Sequence, residues 1–149
     1  MHPFDLKTTF LAKHAQHVVL IHFPIALFII GVLFDFLAQR TKQRLLIGAA
    51  YYNLLAAALT TIPVLVTGIL AWQWQLEGQR LRGILLMHLA LGWLSALLIW
   101  VVWLIHMRTQ RKPGAVLPAY RLPIEALAVV TVTLTAHLGG FLSGVNGPG

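Results

Sequence analysis

The sequence predicts an all-α fold: a four-transmembrane-helix bundle with both termini on the outer, periplasmic side. Three observations carry that prediction. The 149 residues are 58% hydrophobic and 10% charged, with a mean hydropathy of +0.79; a water-soluble domain of this length covers its core with far more charge. Four apolar runs, near 17–38, 46–73, 84–106 and 122–142, each reach the about 20 residues that a helix needs to cross hydrocarbon. All but two of the fifteen charged residues lie outside these runs, and the linkers between them are too short for a second folded unit, so residues 1–149 read as one integral membrane domain.

The first run, Val18 to Ile30 at its heart, carries His22 and, two residues later, Pro24. Proline removes a backbone donor and crowds the carbonyl one turn back, so a kink is expected near Pro24, aiming the His22 imidazole into the bundle. No small-residue cleavage site follows, so this span is expected to stay in the protein. Asp35, at its inner end, is expected to pair with Arg40 or Lys42. The second run holds Pro63 just after Thr60 and Thr61, and a bend is expected there, with a threonine hydroxyl near the freed carbonyl. The third run ends at His106 beside Arg108, an interfacial position. The fourth opens with Leu122-Pro123-Ile124-Glu125, proline in the first turn and a carboxylate near the positive end of the helix dipole.

Charge sets the orientation. The loops after spans one and three hold Arg40, Lys42, Arg44, Arg108, Arg111, Lys112 and Arg121, seven of the eleven basic residues. Positive loops stay in the cytoplasm, which places both termini outside. Trp72 and Trp74 then suit the outer aromatic belt, and Tyr51, Tyr52 and Trp103 the inner one. The net charge of +7 belongs to these loops and does not indicate a nucleic-acid partner. The expected location is the bacterial inner membrane, multi-pass, among membrane lipids.

The seven histidines are the informative residues. His2 and His14 precede the first span, and His17 sits at its outer edge. His22, His88 and His137 each lie about five residues inside the outer end of a different span. At 1.5 Å rise per residue, all three fall roughly 7–9 Å below one membrane face. One buried histidine can simply brace two helices. Three at one depth point instead to a layer that binds a ligand, since bundles build cofactor sites from side chains on facing helices. Small residues flank these imidazoles: Gly92, Ser95 and Ala96 below His88, Ala26 near His22, Thr133 near His137, and Thr67 and Gly68 on the second span. They leave a slot for a flat group, or let helices approach closely.

Imidazole suits haem iron, zinc and copper. Cysteine is absent, and no carboxylate lies at that depth to serve zinc catalysis. Two histidines on different helices holding haem b fit best, His88 with His22 or His137. Arg82, with Arg80 and Lys13, would meet the propionates. A chlorophyll-type pigment, ligated by one histidine, and a bundle with no cofactor stay open. A fainter pattern is an internal echo. "LIHFPIAL" in span one and "LMHLALGW" in span three each place a histidine early, and the spans end in Gln39-Arg40 and Gln110-Arg111. Such an echo is what a duplicated two-helix hairpin leaves.

The stretch "HVVLIHFPIAL", His17 to Leu27, resembles the signature HPxxVHFPIAL of an uncharacterised family of small four-span bacterial membrane proteins, domain-of-unknown-function family 2231. Val18 stands where that signature has proline. "LVTGILAW", Leu65 to Trp72, is similar to the family's threonine-glycine stretch, and "LGGFLSGVNG", Leu138 to Gly147, to its glycine-rich ending, with Ser143 and Asn146 where the family usually has an aromatic and a basic residue. The resemblance implies a haem- or redox-associated membrane component.

Two readings follow. One is a b-type haem-binding electron-transfer subunit of a larger redox complex, exchanging electrons with quinone or a periplasmic redox protein. The other is a non-catalytic accessory subunit of a respiratory or photosynthetic complex, holding pigment or lipid. Both favour an electron carrier or accessory subunit over a stand-alone enzyme, and no catalytic residue is assigned. A proton channel or transporter is less favoured, because only Asn53, Thr60 and Thr61 offer a polar path from the inner side.

Overall fold

A computed structural model of the chain describes residues 13–75, 80–111 and 116–143, with side chains at 16–73 of the first segment. His2, Lys7, Lys112 and Asn146, and the side chains of Lys13, His14 and Trp74, lie outside the described residues. The described chain forms five helices: α1 (Lys13–Leu20), α2 (His22–Thr41), α3 (Arg44–Gln75), α4 (Gly83–Gln110) and α5 (Arg121–Leu142). Four stretches are long and apolar enough to cross a membrane: Gln16–Thr41, Arg44–Gln73, Gly83–Gln110 and Arg121–Leu142. The first joins α1 to α2, so the protein crosses the membrane four times. Backbone groups in hydrocarbon must be paired within their own segment, which is why each crossing is helical.

The break between α1 and α2 falls at Ile21, three residues before Pro24. Proline's ring crowds the carbonyl four residues earlier, here Leu20, and the helix gives way next to it. The chain stays wound through the break: the Ile21 N–H reaches the His17 carbonyl at 3.0 Å, while the Ile25 N–H reaches Ile21 at a stretched 3.4 Å. Pro24 thus sits in the first turn of α2, where a missing donor costs least. Helix α3 continues through Pro63. The hydroxyls of Thr60 and Thr61 bond carbonyls of Ala57 and Ala58, one turn ahead of the proline and beside the Leu59 carbonyl that it frees. Lys42, in the left-handed region at φ 59°, closes α2 with its N–H on Ala38 and hands the chain to α3.

Helices α2 and α3 form one hairpin and α4 and α5 another. Contacts of α3 with α4 and of α2 with α5 close the ring, and α1 lies against α3. The core is built from small residues: Ala57, Ala58 and Ala128 beside Phe28, Leu54, Ile99, Val102 and Val132. Large apolar side chains such as Leu33, Leu59, Leu97 and Leu127 are exposed on the perimeter. That inverted arrangement suits lipid, which solvates the perimeter while small residues let backbones close up. Gly31 is the tightest such point. A Cβ there would lie 2.9 Å from Leu54 Cγ and 3.3 Å from its backbone nitrogen, whereas one on Gly48 meets nothing within 4 Å. Gly31→Val is therefore expected to cost about 1–3 kcal/mol by overpacking, read as a lower unfolding midpoint in detergent. Gly48→Ala is expected to leave that midpoint unchanged or raise it.

The two hairpins repeat one another with a register of 71 residues. Buried Pro24, Phe28, Gly31 and Asp35 of α2 correspond to buried Ser95, Ile99, Val102 and His106 of α4. Ala50, Leu54, Ala57 and Thr61 of α3 correspond to Arg121, Glu125, Ala128 and Val132 of α5. The echo expected between His22 and His88 has another register; in the fold the partner of His88 is His17.

Candidate functional site

At the end of the bundle where α1 begins and α5 ends, the four spans line a cavity of about 520 Å³. That size lies within the roughly 300–1,000 Å³ of small-molecule and cofactor sites. Its wall is mostly apolar. Every lining residue from the first two spans has a lining counterpart 71 positions later, as His17 has His88, Pro24 has Ser95 and Gly68 has Gly139.

Two imidazoles are built into this wall by the same device. A Cβ on Gly68 would lie 3.0 Å from His17 Cε1, and one on Gly139 would lie 3.1 Å from His88 Cε1. Each ring rests where only a glycine leaves space for it. His88 Nδ1 lies 3.0 Å from the Thr135 carbonyl. A carbonyl only accepts, so Nδ1 carries the proton and Nε2 the lone pair. His17 Nδ1 lies 3.2 Å from Thr67 Oγ1, and that hydroxyl donates its proton to the Pro63 carbonyl at 2.8 Å. The hydroxyl must then accept from His17, which fixes the same tautomer. The carbonyl equivalent to Thr135 is that of Val64, and Thr67 Oγ1 also lies 3.1 Å from it. The second hairpin thus bonds its imidazole directly, and the first does so through an interposed hydroxyl. A ring nitrogen held by a carbonyl or hydroxyl, with its opposite nitrogen basic, is how metal-ligating histidines are usually oriented.

Gly68 and Gly92 both line the cavity, as do Ser95 and Ala96. His22 lines it too, although its side chain is exposed. The His17 ring packs against Thr67 and Gly68 of α3, whereas His22 is exposed. The structure does not bring His137 to this cavity. That side chain is exposed, with its ring edge-on to Phe141 at 5.0 Å. Thr133 is exposed as well, its hydroxyl bonded to Val129. Arg80 and Arg82 are exposed ahead of α4 and form no part of the lining.

The opposite end of the bundle corrects three expectations. Asp35 does not pair with Arg40, whose guanidinium stands over the Phe36 ring at 4.8 Å, nor with exposed Lys42. It accepts a hydrogen bond of 2.8 Å from Arg121 Nε. His106, expected at the interface beside Arg108, faces protein rather than lipid or water: it is 1% exposed, with Nε2 at 3.1 Å from Glu125 Oε1. Glu125, expected at a solvated helix start, is 2% exposed.

No curated protein and no solved structure gives a significant match to this chain. The family model described as Predicted membrane protein (DUF2231) matches residues 13–147, from the start of α1 to beyond α5, and so takes in the His17–Leu27 signature and both glycines beneath the imidazoles. The chain belongs to that family.

Proposed function

We propose that the chain is an integral membrane electron-transfer subunit whose cavity would hold b-type haem, with His17 and His88 as the residues that would ligate it. The observation that carries this reading is the repeated device: two imidazoles from the first and third spans, each seated on a glycine, each with Nδ1 as donor and Nε2 basic. A pigment needs one imidazole, whereas haem iron has two axial positions, and the 71-residue register supplies a matched pair. The wall is mostly apolar. Haem bound here supplies one-electron chemistry; the protein's part is to fix its ligands and its surroundings. The excess of positive charge in the loops after α2 and α4 supports an orientation with this end on the periplasmic side of a bacterial inner membrane. The chain has little surface outside the membrane, which suits a subunit that exchanges electrons with quinone, a membrane partner or a periplasmic redox protein. The same apolar lining also suits a pigment or lipid tail in an accessory subunit.

The test is optical and metal analysis of the protein purified from haem-replete membranes. A sharp low-spin haem spectrum with one haem per chain is expected. A folded, colourless, metal-free preparation refutes the reading, and a magnesium pigment or tightly held lipid selects the accessory role. Thr67→Val removes the oxygen that orients His17 while keeping the side chain's shape. It is expected to weaken haem retention by about 10–100-fold, as loss of an outer-shell partner does, measured by transfer of haem to apomyoglobin.

A further inference from the structure

The far end of the bundle holds a second polar site that the cavity does not use. Asp35 of α2, His106 of α4, and Arg121 and Glu125 of α5 are each at most 3% exposed. Arg121 Nε donates to Asp35 Oδ2 at 2.8 Å and stands 3.8 Å from Glu125 Oε1, and the same Glu125 oxygen meets His106 Nε2 at 3.1 Å. The buried residues of α3 at this level, Ala50 and Leu54, bring no charge. The other cations at this end, Arg40, Lys42, Arg44, Arg108 and Arg111, are exposed.

Arg121 and Glu125 are not a requirement of packing: in the 71-residue register they occupy the places that Ala50 and Leu54 fill in the first hairpin, while Asp35 and His106 occupy equivalent places and are polar in both. Ionisable groups inside a membrane span are costly and stand at functional sites.

With both carboxylates ionised, the guanidinium charged and the imidazole neutral, the quartet would carry a single negative charge, which an apolar interior resists. One monovalent cation restores neutrality. Single ligand atoms of Asp35, His106 and Glu125 fall within 4.8 Å of one another, close enough to surround a metal ion. A divalent ion, however, would overshoot neutrality and would have to sit against the guanidinium already placed between the two carboxylates. A proton needs no space, and the His106–Glu125 contact gives it two heavy atoms to share.

We propose that this quartet is an intramembrane proton-binding site. Asp35 and Arg121 form its fixed ion pair, and His106 and Glu125 form the pair that gains and releases one proton. The site stands independently of any group in the cavity.

The experiment uses the full chain in lipid nanodiscs, labelled with ¹⁵N-histidine and side-chain-¹³C-glutamate, and follows both nuclei by solid-state NMR during a titration from about pH 5 to 8. The ¹³C–¹⁵N dipolar contact of the His106–Glu125 pair identifies its signals without any substitution. The expected result is one step, one proton per chain, in which imidazole and carboxylate signals move together. His106→Gln, which keeps a donor to Glu125, is expected to abolish that step. Signals from the pair that stay fixed across the range overturn the proposal. So does a stoichiometric divalent metal that co-purifies with the wild type and is lost in His106→Gln.

Discussion

His88→Ala protein is expected to purify folded but without a low-spin haem spectrum. The imidazole contributes little to holding the bundle together. It makes one hydrogen bond, to the Thr135 carbonyl, and an ordinary neutral bond of that kind is worth about 0.5–1.5 kcal/mol net. The core residues Phe28, Leu54, Ile99 and Val132 lie outside that interaction. If haem is held as proposed, the substitution would by contrast remove one of the two side chains that hold it. His17→Ala is expected to behave the same way, and His137→Ala to keep the wild-type spectrum, because that ring is packed on Phe141 away from the cavity. His22→Ala separates two pairings. If it alone abolishes the spectrum while His17→Ala does not, the ligand on the first span is the imidazole at the mouth. Retention of the full spectrum in His88→Ala defeats every pairing that includes it.

The largest loss of stability is expected from Arg121→Leu. The substitution leaves Asp35 and Glu125 buried without their cation. Breaking a buried ion pair by removing one partner costs about 3–5 kcal/mol, enough to unfold a marginal membrane protein. The measurable consequence is a sharp fall in the folded fraction recovered from membranes and in the denaturation midpoint in detergent. Arg121→Leu combined with Asp35→Leu is expected to recover most of the loss, since an apolar pair of similar volume substitutes well for an ion pair. Arg121→Lys keeps the charge but loses the guanidinium's fixed fork, and is expected to fall between. If the single and double substitutions are equally damaging, coupling between Asp35 and Arg121 is absent.

The four crossings are legible in the sequence because about 20 consecutive apolar residues form a strong signal. Depth is read less well: the 71-residue register puts His17, not His22, level with His88, and five residues of helix separate His17 from His22 by about 7.5 Å. The direction in which a side chain points is not legible. In a soluble helix a polar face marks the outside. Here lipid and core are both apolar, so nothing in the sequence of span four says that His137 faces outward while Ala128 and Val132 face the core. His17 and His22 both line the cavity, and the five residues between them turn the two rings to different helix faces, so the run of apolar residues around them does not choose between the two imidazoles. The internal echo offered two clues of unequal value. The histidines at 22 and 88 suggest one register, and the Gln-Arg pairs at 39–40 and 110–111 another; the fold follows the second. The buried quartet was the least visible feature. Asp35 and Arg121 are 86 residues apart, and local charge balance with Arg40 or Lys42 offered a nearer and mistaken explanation.

The 71-residue register has a geometric consequence. Each repeat crosses the bilayer an even number of times, so the two run in the same direction, and the operation relating them is a half-turn about an axis along the membrane normal. A planar guest on that axis meets nearly the same chemistry whichever way up it enters. Two facial isomers of a lopsided macrocycle would then lie close in energy. The contrast between His22 and its counterpart Trp93 at the rim is among the few features left to choose between them.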